Sequence, residues 1–240
     1  MDNFNYKIVT PNNLGWLEKK LTEEELNYLW SCVENKKENF KNQLAGNISK
    51  SYKLTDQNNW FWETTLQPFC EAYSRTFVNV GDNIPTNERH SYFLQAFWVN
   101  YQKQTEFNPL HHHSGVYSFT IWLKIPTEFT EQKKHPIASD SNSKAISNFA
   151  FQYVNILGEI QNHTYSMSSN LEGIMLFFPS NLNHQVYPFY KCNEKRISIA
   201  GNIGLDTSSI LNQGEFNEQL RSRWSSIRRL TRLRRSSKNV

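Results

Sequence analysis

The chain has 240 residues, of which 38% are hydrophobic and 14% aromatic, with only 9 Gly and 8 Pro; it is too rich in large apolar side chains for a disordered or collagen-like protein and long enough to bury a core without staples. Its 26 basic and 22 acidic residues give a net charge of +4. The last twenty residues hold eight of the bases and no acid, which leaves 18 bases against 22 acids in the first 220, so a mildly acidic body carries a strongly basic tail.

Three scattered cysteines (Cys32, Cys70, Cys192) form no CxxC pair, which argues against a disulfide framework and for a reducing, cytoplasmic setting. No basic-then-apolar leader follows Met1 and no apolar run reaches ~18 residues, so neither a secretory signal nor a membrane span is expected.

Thr22 followed by Glu23, Glu24 and Glu25 reads as a helix N-terminus, with an N-cap oxygen and acids at the positive end of the dipole. Leu26, Leu29, Trp30 and Val33 then follow the spacing of one buried helical face. A second helix is expected over about 60–78, with Phe69, Cys70, Tyr73 and Phe77 on its apolar side. Residues 44–48 and 79–88 read as loops. From about Ser91 the period changes. Residues 93–101 and 116–125 are aromatic and β-branched, hence strands. Residues 128–147 are charged and Ser/Asn-rich and read as a long loop. A hairpin is expected over 149–157 and 161–166 around Gly158, followed by strands at 174–178, 185–188 and 196–203. Many strands joined by turns, with no crossover helices between them, predict an antiparallel sandwich or jelly roll. The expected division is a helical or mixed region (1–90) packed on a β core (91–210), then a basic helix or tail (211–240). In the tail, Leu220, Trp224, Ile227 and Leu230 lie at helical spacing among arginines. That stripe either packs on the body or presents a weak nucleic-acid or polyanion contact through 221–240; packing is the favoured reading.

Three consecutive histidines, His111, His112 and His113, precede the strand at 116–125. Side chains two apart on extended backbone point the same way, so His111 and His113 can share one ion; a solvent-exposed histidine loop is the alternative. About seventy residues on, His184 follows the apolar strand that ends at Pro179. Then Arg196, Ser198 and Ala200 lie on one face of the last strand and Ile197 and Ile199 on the other. A guanidinium pointing into an apolar barrel needs an anionic partner. Its planar fork suits a carboxylate, with the Ser198 hydroxyl adding a hydrogen bond. That carboxylate is either a ligand's or an internal acid's, Glu172 and Glu194 being nearest in sequence.

His-x-His before a strand, then residues 172–188 and 195–203 in that order, resemble the 2-oxoglutarate/iron(II)-dependent oxygenases, and are most similar to those of cyanophage and marine bacterial genomes. The likeness covers about 93–203. It implies a double-stranded β-helix, an α+β chain overall, whose open end holds Fe(II). It also implies His111 as first and His184 as last metal ligand, with Arg196 binding the far carboxylate of 2-oxoglutarate and Ser198 assisting. Asn100, Tyr101 and Trp122 are expected to line the cofactor cavity. The implied reaction couples oxidative decarboxylation of 2-oxoglutarate by O2 to hydroxylation of an unidentified protein side chain or small molecule, with ascorbate as an accessory reductant; a phage gene product would act in the host cytoplasm.

The chain departs from the family at the middle ligand. Most members have His-x-Asp or His-x-Glu, and here that position is His113. Three readings follow: three imidazoles on the metal, a two-histidine site completed by water, or a shifted register with His113 first and Gly115 at the carboxylate position. Rival functions are a cupin-like metal enzyme without 2-oxoglutarate, against which Arg196 and Ser198 argue, and a non-catalytic jelly-roll binding or virion-associated protein.

Overall fold

The computed structural model describes Lys7 and residues 13–84, 90–143 and 145–207. The basic stripe at 220–233 lies outside the described residues. The chain is mainly β. In order it contains β1 (Leu17–Lys20), α1 (Glu23–Glu34), β2 (Ser51–Lys53), α2 (Gln67–Thr76), β3 (Tyr92–Gln102), β4 (Asn108–His111), β5 (Tyr117–Lys124), β6 (Phe149–Val154), β7 (Ile160–Tyr165), β8 (Ile174–Pro179), β9 (Asn183–Val186) and β10 (Arg196–Leu205). The strands form a six-stranded sheet, β1-β8-β5-β10-β3-β2, and a four-stranded sheet, β4-β9-β6-β7. The pairings in both are antiparallel.

The local chemistry explains the elements. Thr22 caps α1 through a capping box: its hydroxyl accepts from the Glu25 amide while the Glu25 carboxylate accepts from the Thr22 amide, an arrangement of the kind worth about 1 kcal/mol. The helix expected over 60–78 is interrupted in register by a π-helical stretch, Trp62–Leu66, before α2 begins. Pro68 explains it. Proline has no amide to donate and its ring crowds the carbonyl four residues back, so a wider turn ahead of it relieves the clash. The segment 128–147 is not wholly irregular, since Phe129–Gln132 and Pro136–Ser139 form single helical turns. β1 and β2 were not foreseen; both are short strands at the edges of the larger sheet.

Strand alternation divides the larger sheet into two faces. Phe97, Val99, Phe119, Ile121, Phe177 and Ile199 pack with Leu29, Cys32, Val33, Leu66, Cys70 and Tyr73 of the helical region. Gly201 belongs to this close packing: a Cβ there would sit 2.5 Å from the Phe119 ring and 2.7 Å from the Ala96 carbonyl. The residues of opposite parity face the smaller sheet. Trp122, Leu176 and Phe178 form one cluster with Phe149, Phe151 and Tyr165 from β6 and β7, so the two sheets share an apolar layer. The three cysteines are free thiols. No helix of the described residues is long and apolar enough to cross a membrane.

Candidate active site

A cavity of about 420 Å³ is lined by residues of both sheets and of the 43–48 segment. The histidines reach it by backbone pairing. β4 lies against β9 with His111 directly opposite His184, and the His113 amide donates to the Ser180 carbonyl at 2.8 Å. The ligand atoms of His111, His113 and His184 all lie within 4.8 Å of one another. His112, between them, is exposed, as the alternation of an extended segment requires. Among the described residues no aspartate or glutamate joins the three imidazoles.

The protonation state of the trio follows from its contacts. His111 Nδ1 lies 2.7 Å from the Pro109 carbonyl and His184 Nδ1 lies 3.0 Å from the Leu182 carbonyl. A carbonyl only accepts, so both Nδ1 atoms carry the proton and both Nε2 atoms present lone pairs. Burial lowers the pKa of all three rings, with His113 pushed down to about 4 and His184 well below its ordinary value; the charge of neighbouring imidazoles adds to the effect. Neutral His111 and His113 thus set their Nε2 atoms 3.2 Å apart. His111 Nε2 presents a lone pair, so at that separation either a His113 Nε2–H donates to it or a cation lies between the two nitrogens, and the donor set fits a divalent ion bound by imidazole nitrogen. Phe149 and Phe178 pack their rings 5.7 and 5.2 Å from that of His184 and help keep water from it.

Arg196 and Ser198 line the same cavity. Arg196 is the first residue of β10 and is 1% exposed. Its Nη2 donates to the Ser147 carbonyl at 2.9 Å and to the Ser147 hydroxyl at 2.7 Å, and its Nη1 donates to Gln102 Oε1 at 3.3 Å. Gln102 is turned toward it because its own amide donates to the Glu106 carbonyl. The guanidinium lies over the Phe189 ring. Burial lowers its pKa to about 9, which leaves it charged at neutral pH. Among the described residues no carboxylate pairs with it. Glu194 bonds Lys124 at 2.5 Å and Glu172 accepts from the Ile125 amide, so neither nearby acid fills the role an internal partner would need. The Arg196 Nε is buried with no partner among the described residues. A buried cation with an unused donor fits an incoming carboxylate.

Trp122 also lines the cavity, as does Asn100, whose Oδ1 accepts from the Ser51 hydroxyl at 2.6 Å. Tyr101 does not line it. It is one residue out of phase with Asn100 and Gln102, and it turns to the other face of β3, where Tyr52, Lys36 and Lys195 surround its ring. Four contributors escaped the sequence reading: Gln102, Ser147, Ser118 and Asn202. Ser118 and Asn202 share the strand parity of Trp122 and Ser198, so alternation could have found them. Ser147 carries no local sign, because it is 49 residues from Arg196 and adopts a left-handed backbone (φ 61°).

No curated protein matches the chain. Solved structures with similar chain traces include a viral collagen prolyl hydroxylase from Paramecium Bursaria Chlorella virus-1 (11% identity, 78% of this chain and 94% of that chain, TM-score 0.44). A Pseudomonas putida prolyl-4-hydroxylase is similar at 10% identity, over 78% of this chain and 91% of that chain, with a TM-score of 0.41. An oxidoreductase of the 2OG-Fe(II) oxygenase family from Burkholderia pseudomallei is similar at 14% identity, over 76% and 79%, with a TM-score of 0.40. The segment that carries the three histidines, Arg196, Ser198 and Asn202 is the one that matches a family model: residues 96–202 fit that of the "Putative 2OG-Fe(II) oxygenase" family.

Proposed function

We propose that this protein is an Fe(II)- and 2-oxoglutarate-dependent hydroxylase built on a double-stranded β-helix, with the helical region before β3 packed on the outside of its larger sheet. The observation that carries the proposal is the meeting, in one cavity, of three neutral imidazoles and a buried guanidinium that has no carboxylate partner among the described residues. The match of residues 96–202 to the family model supports it.

His111, His113 and His184 hold the ion through Nε2. Arg196 anchors the far carboxylate of the 2-oxo acid through its unpaired Nε–H, and Ser198 lies on the same wall. When bound, the iron and 2-oxoglutarate supply the oxidising chemistry, in which O2 is consumed, 2-oxoglutarate becomes succinate and CO2, and one oxygen atom is delivered to a substrate C–H bond. The chain's own part is to fix these partners and keep the site dry. The β4–β9 ladder sets the spacing of two imidazoles, Phe149 and Phe178 shield His184, and Arg196 fixes the direction from which the acid enters. Three imidazoles alone would also suit a metal enzyme without a cosubstrate; Arg196 separates the two readings, because such an enzyme has no use for a dedicated carboxylate anchor.

The test is anaerobic titration with Fe(II) and 2-oxoglutarate, followed by the weak visible charge-transfer band of the chelate. The band is expected in the wild type and lost in both His184→Ala and Arg196→Ala. No band in the wild type, or a band that survives both substitutions, overturns the proposal.

A further inference from the structure

His113 stands where the resembling family carries a carboxylate, and the exchange creates a requirement that a carboxylate does not have. Either oxygen of a carboxylate can bind a metal. A neutral imidazole binds only through the nitrogen that lacks the proton, so something must hold the proton on the other one. For His111 and His184 the backbone does this, through the carbonyls of Pro109 and Leu182 two residues earlier in each case. His113 has no such backbone carbonyl, although the Asn202 side chain also accepts from its ring. Its Nδ1 lies 3.1 Å from the Ser118 hydroxyl.

A serine hydroxyl can give or take a proton, so by itself it would not choose the tautomer. Its other contacts decide. Ser118 donates its only proton to Asn202 Oδ1 at 3.0 Å. With that proton committed, the contact with Ser180 Oγ at 3.0 Å has Ser180 as donor. The His113 contact likewise has His113 as donor. Ser118 Oγ then accepts two hydrogen bonds and donates one, its full capacity. Ser118 and Ser180 are 0% and 1% exposed, so water does not readily take over the role of either.

We infer that Ser118, polarised by Asn202 and Ser180, is the positioning residue that keeps the proton of His113 on Nδ1 and so makes its Nε2 a metal ligand. The inference rests on the three-imidazole reading above. Removing Asn202 has a specific consequence. The Ser118 hydroxyl is then free to rotate and donate to Nδ1, which moves the His113 proton to Nε2 and closes the ligand site without deleting an imidazole.

The experiment loads the full-length protein with Cu(II) and counts bound imidazole nitrogens from the superhyperfine structure of its EPR spectrum, with Zn(II) affinity measured alongside by calorimetry. Wild type is expected to show three nitrogens and His113→Ala two. Ser118→Ala and Asn202→Ala are each expected to show two, with Zn(II) affinity down about 10- to 100-fold. Asn202→Asp, which keeps an acceptor for the Ser118 proton, should return the count to three. The Asn202 pair carries the test if Ser118→Ala fails to fold. A wild type with fewer than three nitrogens, or a His113→Ala spectrum identical to wild type, removes the metal-centre reading and this inference with it. A wild type with three, and Ser118→Ala or Asn202→Ala also with three at unchanged affinity, overturns the inference alone.

Discussion

The two faces of the larger sheet are made by the same strands, yet they do different things. On the helical side, Phe97, Val99, Phe119, Ile121 and Ile199 lie in an apolar layer closed by α1 and α2. On the other side, their immediate neighbours Trp98, Asn100, Trp122 and Ser198 line a polar cavity, together with Asn202. Stability and chemistry are thus separated by a single residue of sequence. A substitution on the apolar face should cost stability, and one at a polar position of the cavity face such as Ser198 should chiefly change what the cavity binds.

The largest expected effect lies on the helical face. Phe119→Ala removes a fully buried ring in contact with Phe61 and Phe97. It should cost about 3–5 kcal/mol, read as a lower urea midpoint. A loss under about 1 kcal/mol would mean that this face is not the principal core. Across the sheet, Arg196→Met should lower 2-oxoglutarate affinity about 100-fold, the scale of charge-assisted hydrogen bonds. Calorimetry on the Zn(II)-loaded protein measures it, and an affinity within threefold of wild type would detach Arg196 from the anion.

A smaller effect is expected from pH in the metal-free protein. Burial holds the His113 pKa near 4 in the folded chain against an ordinary 6.5. Between those values the unfolded chain binds the extra proton and the folded chain does not. Stability is therefore full above about pH 6.5 and falls as pH drops toward 4. Chelator-treated wild type should lose melting temperature across that window more steeply than His113→Ala, and parallel slopes would contradict the assignment. The smallest effect concerns Tyr101, which faces away from the cavity. Tyr101→Leu should leave metal and 2-oxoglutarate affinity within twofold of wild type, and a tenfold loss would show that the parity division fails at that end of β3.

The sequence was most readable where local chemistry and tertiary packing agree. Thr22 and Glu25 announce α1 because a capping box is satisfied within four residues. β3, β5 and β10 are evident because aromatic and β-branched side chains fill a sheet packed on both faces. β1 and β2 gave no comparable sign: Leu17–Lys20 and Ser51–Lys53 are short and polar, and become strands because β8 and β3 offer open edges. β4 was hidden by Pro109, a residue that strands accept chiefly at a sheet edge, where β4 lies. At the site, His111, His113, His184, Arg196 and Ser198 were legible from spacing and the family resemblance together. Tyr101 was misplaced because an aromatic run says nothing about which parity faces inward. Ser147 was out of reach because its bond to Arg196 joins distant segments.

The pairing of His111 with His184 across one rung of the β4–β9 ladder has a consequence for how the chain reaches its native state. Sliding either strand by one residue would turn its imidazole to the opposite side of the sheet. On the three-imidazole reading, ion-binding competence is a property of correct strand registration, and misaligned chains would lack it. An ion that binds the three imidazoles and is present during refolding would draw the population toward the aligned ladder by mass action, and so would act as a template for the sheet.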